Sequence, residues 1–196
     1  MNTNLFNASD ETAALARLHD RLARGAEQRG LLDVAYRIVD TPVGVLLLAA
    51  TDVGLVRVAF DVQDHDAVLD ALARAVSPRI LLAPARLDAA ARQLDDYFSK
   101  RRRTFELPLD LRLATGFRRM VLDHLRRIGY GQRQTYAAVA RAVGNPRAVR
   151  AVGTACACNP LPIVIGCHRV VRSDGSTGQY AGGAQAKSAL LSLEAA

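Results

Sequence analysis

The order of apolar and polar positions divides the chain into segments of different period. In residues 1–30, Ser9 precedes a stretch in which Ala14, Leu15, Leu18 and Leu22 fall on one helical face. That spacing predicts a short helix packed on the domain and broken by Gly25 and Gly30. From 34 to 60 the pattern changes to short Val- and Leu-rich runs. VAYRIVD, VGVLLLAAT and GLVRVAF, separated by Thr-Pro and TDVG turn signals, predict three strands in an antiparallel meander. Val68, Leu69, Leu72 and Val76 return to helical spacing, closed by Ser77-Pro78. Leu87, Ala91, Leu94 and Phe98 form a second helix before the cluster Lys100-Arg101-Arg102-Arg103. Such a cluster ends a helix favourably and also offers charge to a phosphate.

The second half is mainly helical. Phe117, Met120, Val121, Leu125 and Ile128 share one face of a helix over 116–130, stopped by Gly129-Tyr130-Gly131. Thr135 is placed to cap a helix running through Ala142, Gly144-Asn145-Pro146 forms a turn, and Pro146 opens a further helix to about Cys158. Two short helices joined by a Gly-containing turn predict a helix-turn-helix over 135–158. The expected fold is therefore α+β or α/β in three parts. Residues 1–30 are a helical extension. Residues 31–112 are a small α/β domain of antiparallel strands plus helix, without a catalytic constellation. Residues 113–196 are a mainly helical domain carrying the helix-turn-helix and a Cys-bearing loop.

Composition excludes two classes. Of 196 residues, 50% are hydrophobic and 23% charged, a globular balance that rules out disorder over the whole length. No apolar run approaches the roughly 20 residues that span a bilayer, and no secretory signal is visible, so no membrane partner is expected. Three cysteines, at 156, 158 and 167, form no disulfide framework, which places the protein in the cytoplasm. The net charge of +7 is unevenly distributed: residues 116–196 hold 11 Lys/Arg against 3 Asp/Glu. That excess predicts a polyanionic partner for the C-terminal part, with nucleic acid foremost, against the simpler reading of solubility. Only 2 of the 26 basic residues are Lys.

The chemistry concentrates in N159-P-L-P-I-V-I-G-C-H-R-V-V171. Ile163, Val164 and Ile165 form a buried run leading to Cys167. A buried Cys is most often an inert small hydrophobe, but here His168 follows directly, Arg169 adds positive charge, and Asn159 supplies a nearby polar group. A thiol reacts as its thiolate and needs a base or a positive environment. On an extended chain His168 points away from the Cys167 sulfur. It then takes the proton through a water, or directly if the chain turns at Gly166. Asp174 and Glu194 are the acidic residues that follow Cys167. Glu194 ends KSALLSLE, whose Leu190, Leu191 and Leu193 face the core, and burying an unpaired carboxylate there is expensive. Pairing with His168 relieves that cost; the alternative is that Glu194 frays into solvent. The loop D174-G-S-T-G-Q-Y-A-G-G183 lacks the Lys-Ser/Thr ending of a phosphate-binding P-loop, and its Tyr180 is placed to wall a pocket for a flat ring.

Segment 117–194 resembles the O6-alkylguanine-DNA alkyltransferase family, also called methylated-DNA–protein-cysteine methyltransferases. The resemblance rests on G166-CHRV170, Asn159-Pro160, G178-Q-Y-A-G-G183 and K187-S-A-L-L-S-L-E194 in register. It implies that Cys167 accepts the alkyl group, that His168, acting through water and paired with Glu194, is its base, and that Asn159 supports the site. It further implies that Tyr136 lies at the nucleotide phosphate, that Arg150 enters the base stack, and that Tyr180, Ala181 and Val170 line the guanine pocket. The helix 147–157, with small Ala151, Gly153 and Thr154, would lie in the minor groove. The implied partner is double-stranded DNA carrying O6-alkylguanine, with O4-alkylthymine as a second lesion. The implied protein is a single-turnover monomer without metal or organic cofactor.

Four positions depart from the family: Gly166 and Gly129 stand for Pro, Leu122 for Trp, and Ala181 for Ser. The competing readings are a lesion-binding relative that does not transfer the alkyl group, and a helix-turn-helix regulator. Retention of Cys167, His168 and Glu194 argues against the first, and the lack of an extra DNA-binding domain or a metal-binding Cys cluster against the second.

Overall fold

The computed structural model describes residues 8–195, leaving out the side chains of Ala8, Ser9, Asp10, Thr12 and Ala16. The cap expected at Ser9 lies outside that description. Helix α1 spans Ala8–Gln28 and passes through Gly25. A single helical Gly costs only about 1 kcal/mol, so the turn comes at Gly30, which takes φ +65°. The expected packing face is corrected as well. Ala23 and Ala26 meet Leu32, Ala35 and Ala83, while Leu15, Leu18 and Leu22 stay exposed.

Strands β1 (Val34–Thr41), β2 (Gly44–Ala50) and β3 (Leu55–Phe60) form the antiparallel meander, with Ala35 opposite Ala50 and Leu46 opposite Phe60. Helix α2 follows at His65–Ala75, N-capped by the Asp64 carboxylate, which accepts from the Asp66 and Ala67 amides. Next comes β4 (Ile80–Leu82), which the pattern of apolar residues did not reveal; it pairs parallel with β1 and gives the order β3-β2-β1-β4. Central β2 runs LLLAA without alternation because both of its faces are covered. Leu47, Ala49, Val56 and Ala59 pack on Val68 and Leu72 of α2. The opposite face, with Leu46, Leu48 and Phe60, meets α3 (Asp88–Phe98) and the C-terminal half.

The C-terminal half holds α4 (Gly116–Leu125), β5 (Gln134–Thr135), α5 (Tyr136–Ala142), α6 (Val149–Ala157), β6 (Val170–Val171) and α7 (Gly183–Glu194). Helix α4 ends earlier than the spacing suggested. Its buried stripe is Val121, Leu122 and Leu125, with Met120 exposed. Leu122 is fully buried in the core. The Thr135 hydroxyl accepts from the Ala138 amide at 3.1 Å and caps α5. Pro146 does not open the next helix; Arg147 and Ala148 separate it from Val149, so the turn is longer than expected.

The two halves share one core. Leu46, Phe60, Leu94 and Tyr97 belong to the same buried cluster as Leu122, Val139, Leu161 and Leu190. The edge of β3 is also occupied: the Val58 amide donates to Pro160 O and the Leu55 amide to Pro108 O, at 2.8 and 2.9 Å. A Cβ on Gly54 would lie 2.2 Å from Pro108 O, so this approach of two backbones requires glycine. Among the described residues, no helix is long and apolar enough to cross a membrane.

Candidate active site

Cys167 lies at the start of a single 3-10 turn, Cys167–Arg169, and not on an extended strand. The preceding backbone produces this. Ile163 takes φ +74°, the Cys167 amide donates to Ile165 O at 2.7 Å, and the Arg169 amide donates to Gly166 O. A positive φ is costly for a β-branched residue; burial of Ile163, Ile165 and Leu161 offsets it. Gly166 itself has φ −68°, an angle open to proline.

The thiol is buried. Asn159 Nδ2 donates to Cys167 Sγ and to Ile165 O, each at 3.1 Å, while its Oδ1 accepts from the Leu161 amide. The Asn side chain therefore clamps both ends of the 159–167 loop. Burial pushes the thiol up to about 11, against the lowering effects of the Asn159 hydrogen bond, Lys187 and Arg169. The resting form is a protonated thiol that needs a base. Cys156 is buried nearby, and burial raises it further than Cys167.

His168 is fully buried. Its Nε2–H donates to Glu194 Oε1 at 3.0 Å, because a carboxylate only accepts. In the neutral ring this leaves the proton-accepting lone pair on Nδ1, which has no hydrogen-bond partner among the described residues. Burial pulls the His168 pKa below its ordinary value despite Glu194, so the ring is neutral at physiological pH.

Glu194 does not fray. Buried at the last turn of α7, it also accepts from Arg169 Nη2 at 2.7 Å, the Gly131 amide at 3.1 Å and Tyr97 Oη at 2.8 Å. Burial alone would raise its pKa, but hydrogen bonds from His168 and Arg169 hold it well below the usual carboxylate range. Arg169 therefore does not act as a free positive charge near the thiol. It is committed to Glu194 and, through Nη1, to Ile128 O at 2.5 Å.

Two participants had no role assigned from the sequence. Tyr97 comes from α3, seventy residues before the Cys. Lys187 is fully buried on α7, donates from Nζ to Val170 O at 2.7 Å, and lies 5.8 Å from the Tyr136 ring. A signal for Lys187 was available: it is one of two lysines in a chain that otherwise uses arginine.

Of the remaining candidates, Tyr136, Arg150, Gly153 and Thr154 line an open cavity of about 520 Å³ together with Arg172 and Gly178, whereas Ala151, Val170, Tyr180 and Ala181 do not line it. Arg150, Ala151 and Thr154 are exposed and Gly153 half-buried on α6. A Cβ on Gly178 would sit 2.8 Å from Tyr136 Oη, so the loop can pass the ring only as glycine. Burial raises Tyr136 to about 12. Val170 is buried and Ala181 half-buried. Tyr180 packs edge-on to Phe60 of β3, with ring centroids 5.6 Å apart, and to His168 at 6.3 Å. Its hydroxyl is buried without a partner among the described residues, and burial keeps it protonated. These geometries assemble a thiol, a neutral base with its carboxylate, and a protonated donor in the same half as a helix whose exposed face carries Arg150.

Residues 34–111 match the family model described as the 6-O-methylguanine DNA methyltransferase ribonuclease-like domain. Residues 116–196 match the DNA-binding domain of the same enzymes. The methylated-DNA–protein-cysteine methyltransferase of Methanosarcina barkeri is 39% identical over 160 residues, covering 81% of this chain and 96% of that protein. The bifunctional transcriptional activator/DNA repair enzyme Ada of Escherichia coli is 35% identical across 99% of this chain, which spans 53% of Ada's length. The crystal structure of Mycobacterium tuberculosis OGT in complex with DNA superposes with a TM-score of 0.71 at 34% identity, covering 82% of this chain and 92% of that one.

Proposed function

The chain belongs to the 6-O-methylguanine DNA methyltransferase family, and on that premise we propose that it repairs alkylated DNA by accepting the alkyl group on Cys167. The observation that carries this is the buried thiol held by Asn159 beside the His168–Glu194 pair.

Each group has a task in the transfer. The Cys167 proton passes through a bridging water to Nδ1 of His168, and Glu194 holds the resulting imidazolium. The sulfur attacks the alkyl carbon, the carbon–O6 bond breaks, and the guanine oxygen leaves with its electron pair. The Tyr180 hydroxyl is a protonated donor next to His168 and is suited to neutralise that purine. The product is a thioether with no leaving group for a second round, so each molecule acts once.

The target base is inaccessible inside a duplex and must be extruded. The exposed face of α6 supports this part of the reading. Small Ala151 and Gly153 let the helix approach a narrow groove closely, and Arg150 stands where it can fill the stack. Tyr136 and Arg172 line the same cavity, suited to a displaced nucleotide and its phosphate. Three unpaired thiols suit a cytoplasmic location, and we take the protein to act as a monomer on double-stranded DNA.

The test is mass spectrometry after incubation with duplex DNA containing O6-methylguanine. One methyl group should appear on the peptide holding Cys167, and uptake should stop at one per molecule. Label on Cys156 or Cys158, or sustained turnover, would refute the assignment. DNA binding without methyl uptake would favour a lesion-binding protein.

A further inference from the structure

Besides Arg169, Glu194 Oε1 accepts from two side chains that come from opposite halves of the molecule. His168 Nε2 lies 3.0 Å away and Tyr97 Oη 2.8 Å away, both buried. A carboxylate oxygen that shares its charge with a second donor has less to offer the first. We propose that Tyr97 is a positioning residue for the transfer reaction: its hydroxyl draws on Glu194 and thereby sets how readily His168 takes the thiol proton. This rests on the reading of Cys167 as the acceptor.

The Tyr97 side chain is held for this task. Its ring packs against Phe98, Phe105 and Tyr130 at centroid distances of 5.4, 5.2 and 6.0 Å. The hydroxyl is therefore directed by three aromatic neighbours and is not a freely rotating contact. Burial raises its pKa, so it remains a donor at any pH the fold tolerates. The other groups facing this centre have partners of their own. Arg169 is bound to both Glu194 oxygens and to Ile128 O, and Lys187 to Val170 O. Tyr130 Oη donates to Leu193 O, the Gly131 amide takes Glu194 Oε2, and Tyr180 meets His168 edge-on. Cys167 precedes His168 in the same turn. Among the donors to Glu194, Tyr97 alone can be stripped of its hydrogen with a nearly isosteric change.

Removing the hydroxyl returns charge on Oε1 to His168 and favours the imidazolium. The base must be neutral to act, so the acidic limb of the pH–rate profile moves to higher pH. A purely structural role for Tyr97 would lower stability and leave the limb in place.

The experiment compares wild type, Tyr97→Phe and Phe105→Leu in single-turnover transfer from O6-methylguanine DNA across pH, together with a nitrogen-15 NMR titration of His168. Tyr97→Phe should move the limb and the His168 titration up together, by about half a pH unit or more. Phe105→Leu, which loosens the packing but keeps the hydroxyl, should shift neither. Coincident Tyr97→Phe and wild-type profiles overturn the proposal. So does a Tyr97→Phe protein that fails to fold while Phe105→Leu folds, because the hydroxyl is then structural. Absence of methyl uptake by wild type would instead refute the acceptor assignment, and the NMR titration would still report on Tyr97.

Discussion

The side-chain amide of Asn159 lies 3.1 Å from the sulfur of Cys167 and donates to it. A hydrogen bond to sulfur favours the thiolate over the thiol, so Asn159 works against the burial that raises Cys167 to about 11.

Asn159→Ala should therefore slow transfer. A hydrogen bond to a charged group is worth about 1.5–3 kcal/mol, which corresponds to a loss of roughly ten- to a hundredfold in single-turnover rate. The same change strands the buried Leu161 amide and leaves Ile165 O with the Cys167 amide as its donor, so the melting temperature should fall too. An Asn159→Ala protein of wild-type rate would show that the sulfur contact is incidental.

Acid should unfold the protein in two stages. His168 has a folded pKa below its ordinary 6.5, so the unfolded chain binds the extra proton first and stability declines as pH falls below 6.5. Glu194 has a folded pKa below its ordinary 4.5, so its contribution is complete above that value and is lost as pH drops further. Both slopes have the same sign, and stability rises with pH. Glu194→Gln should flatten the lower stage in a chemical-denaturation series. It should also cost about 3–5 kcal/mol at neutral pH by stranding the Arg169 charge. An unchanged slope below pH 4.5 would contradict the role of this carboxylate in stability.

Arg150→Ala should slow repair in duplex DNA far more than transfer from a free O6-alkylguanine base. Arg150 is exposed on the first turn of α6, beside the cavity that Tyr136 and Gly178 line. Filling the gap left by an extruded base offsets an unstacking cost on the order of a few kcal/mol. Equal losses on both substrates would mean that Arg150 acts elsewhere. Binding of the wild-type protein should weaken as salt rises, because phosphate contacts release counterions.

The strands and most helices were legible because each carries its own period. Cys167, His168, Asn159 and Glu194 were legible because they sit in short motifs within one half. Strand β4 was not: three residues between Pro78 and Pro84 are too few to show a period. Tyr97 was hidden for another reason. The stripe read through Phe98 points to the core, but Tyr97 lies on the neighbouring arc with Ala90 and Leu94, and nothing local says that its hydroxyl meets a carboxylate ninety-seven residues on. Arg169 looked like a free charge because its two partners, Ile128 O and Glu194, are brought to it only by tertiary folding.

Gly166 gives the last prediction. The family's Pro at this position suggests that Gly166→Pro would be stabilising, and two features of the backbone agree. The angle is already −68°, and the Gly166 amide makes no hydrogen bond among the described residues. Unfolded-state entropy alone would then contribute about 0.4–1 kcal/mol. The side chain of Arg169 opposes this. A Cβ on Gly166 would lie 2.8 Å from Arg169 Cδ and 2.9 Å from both Nε and Cζ. Arg169 cannot swing away cheaply, because Glu194 and Ile128 O hold it. Charged hydrogen bonds of this kind are worth about 1.5–3 kcal/mol each, more than the entropic gain. Gly166→Ala and Gly166→Pro should therefore both melt below wild type. Both should transfer more slowly, since a displaced Arg169 loosens the carboxylate that orients His168. The Ala variant isolates the Cβ clash, and any recovery in the Pro variant measures the benefit of a fixed φ. Melting curves beside single-turnover rates decide the matter, and a Gly166→Pro protein more stable than wild type would show that Arg169 yields without loss.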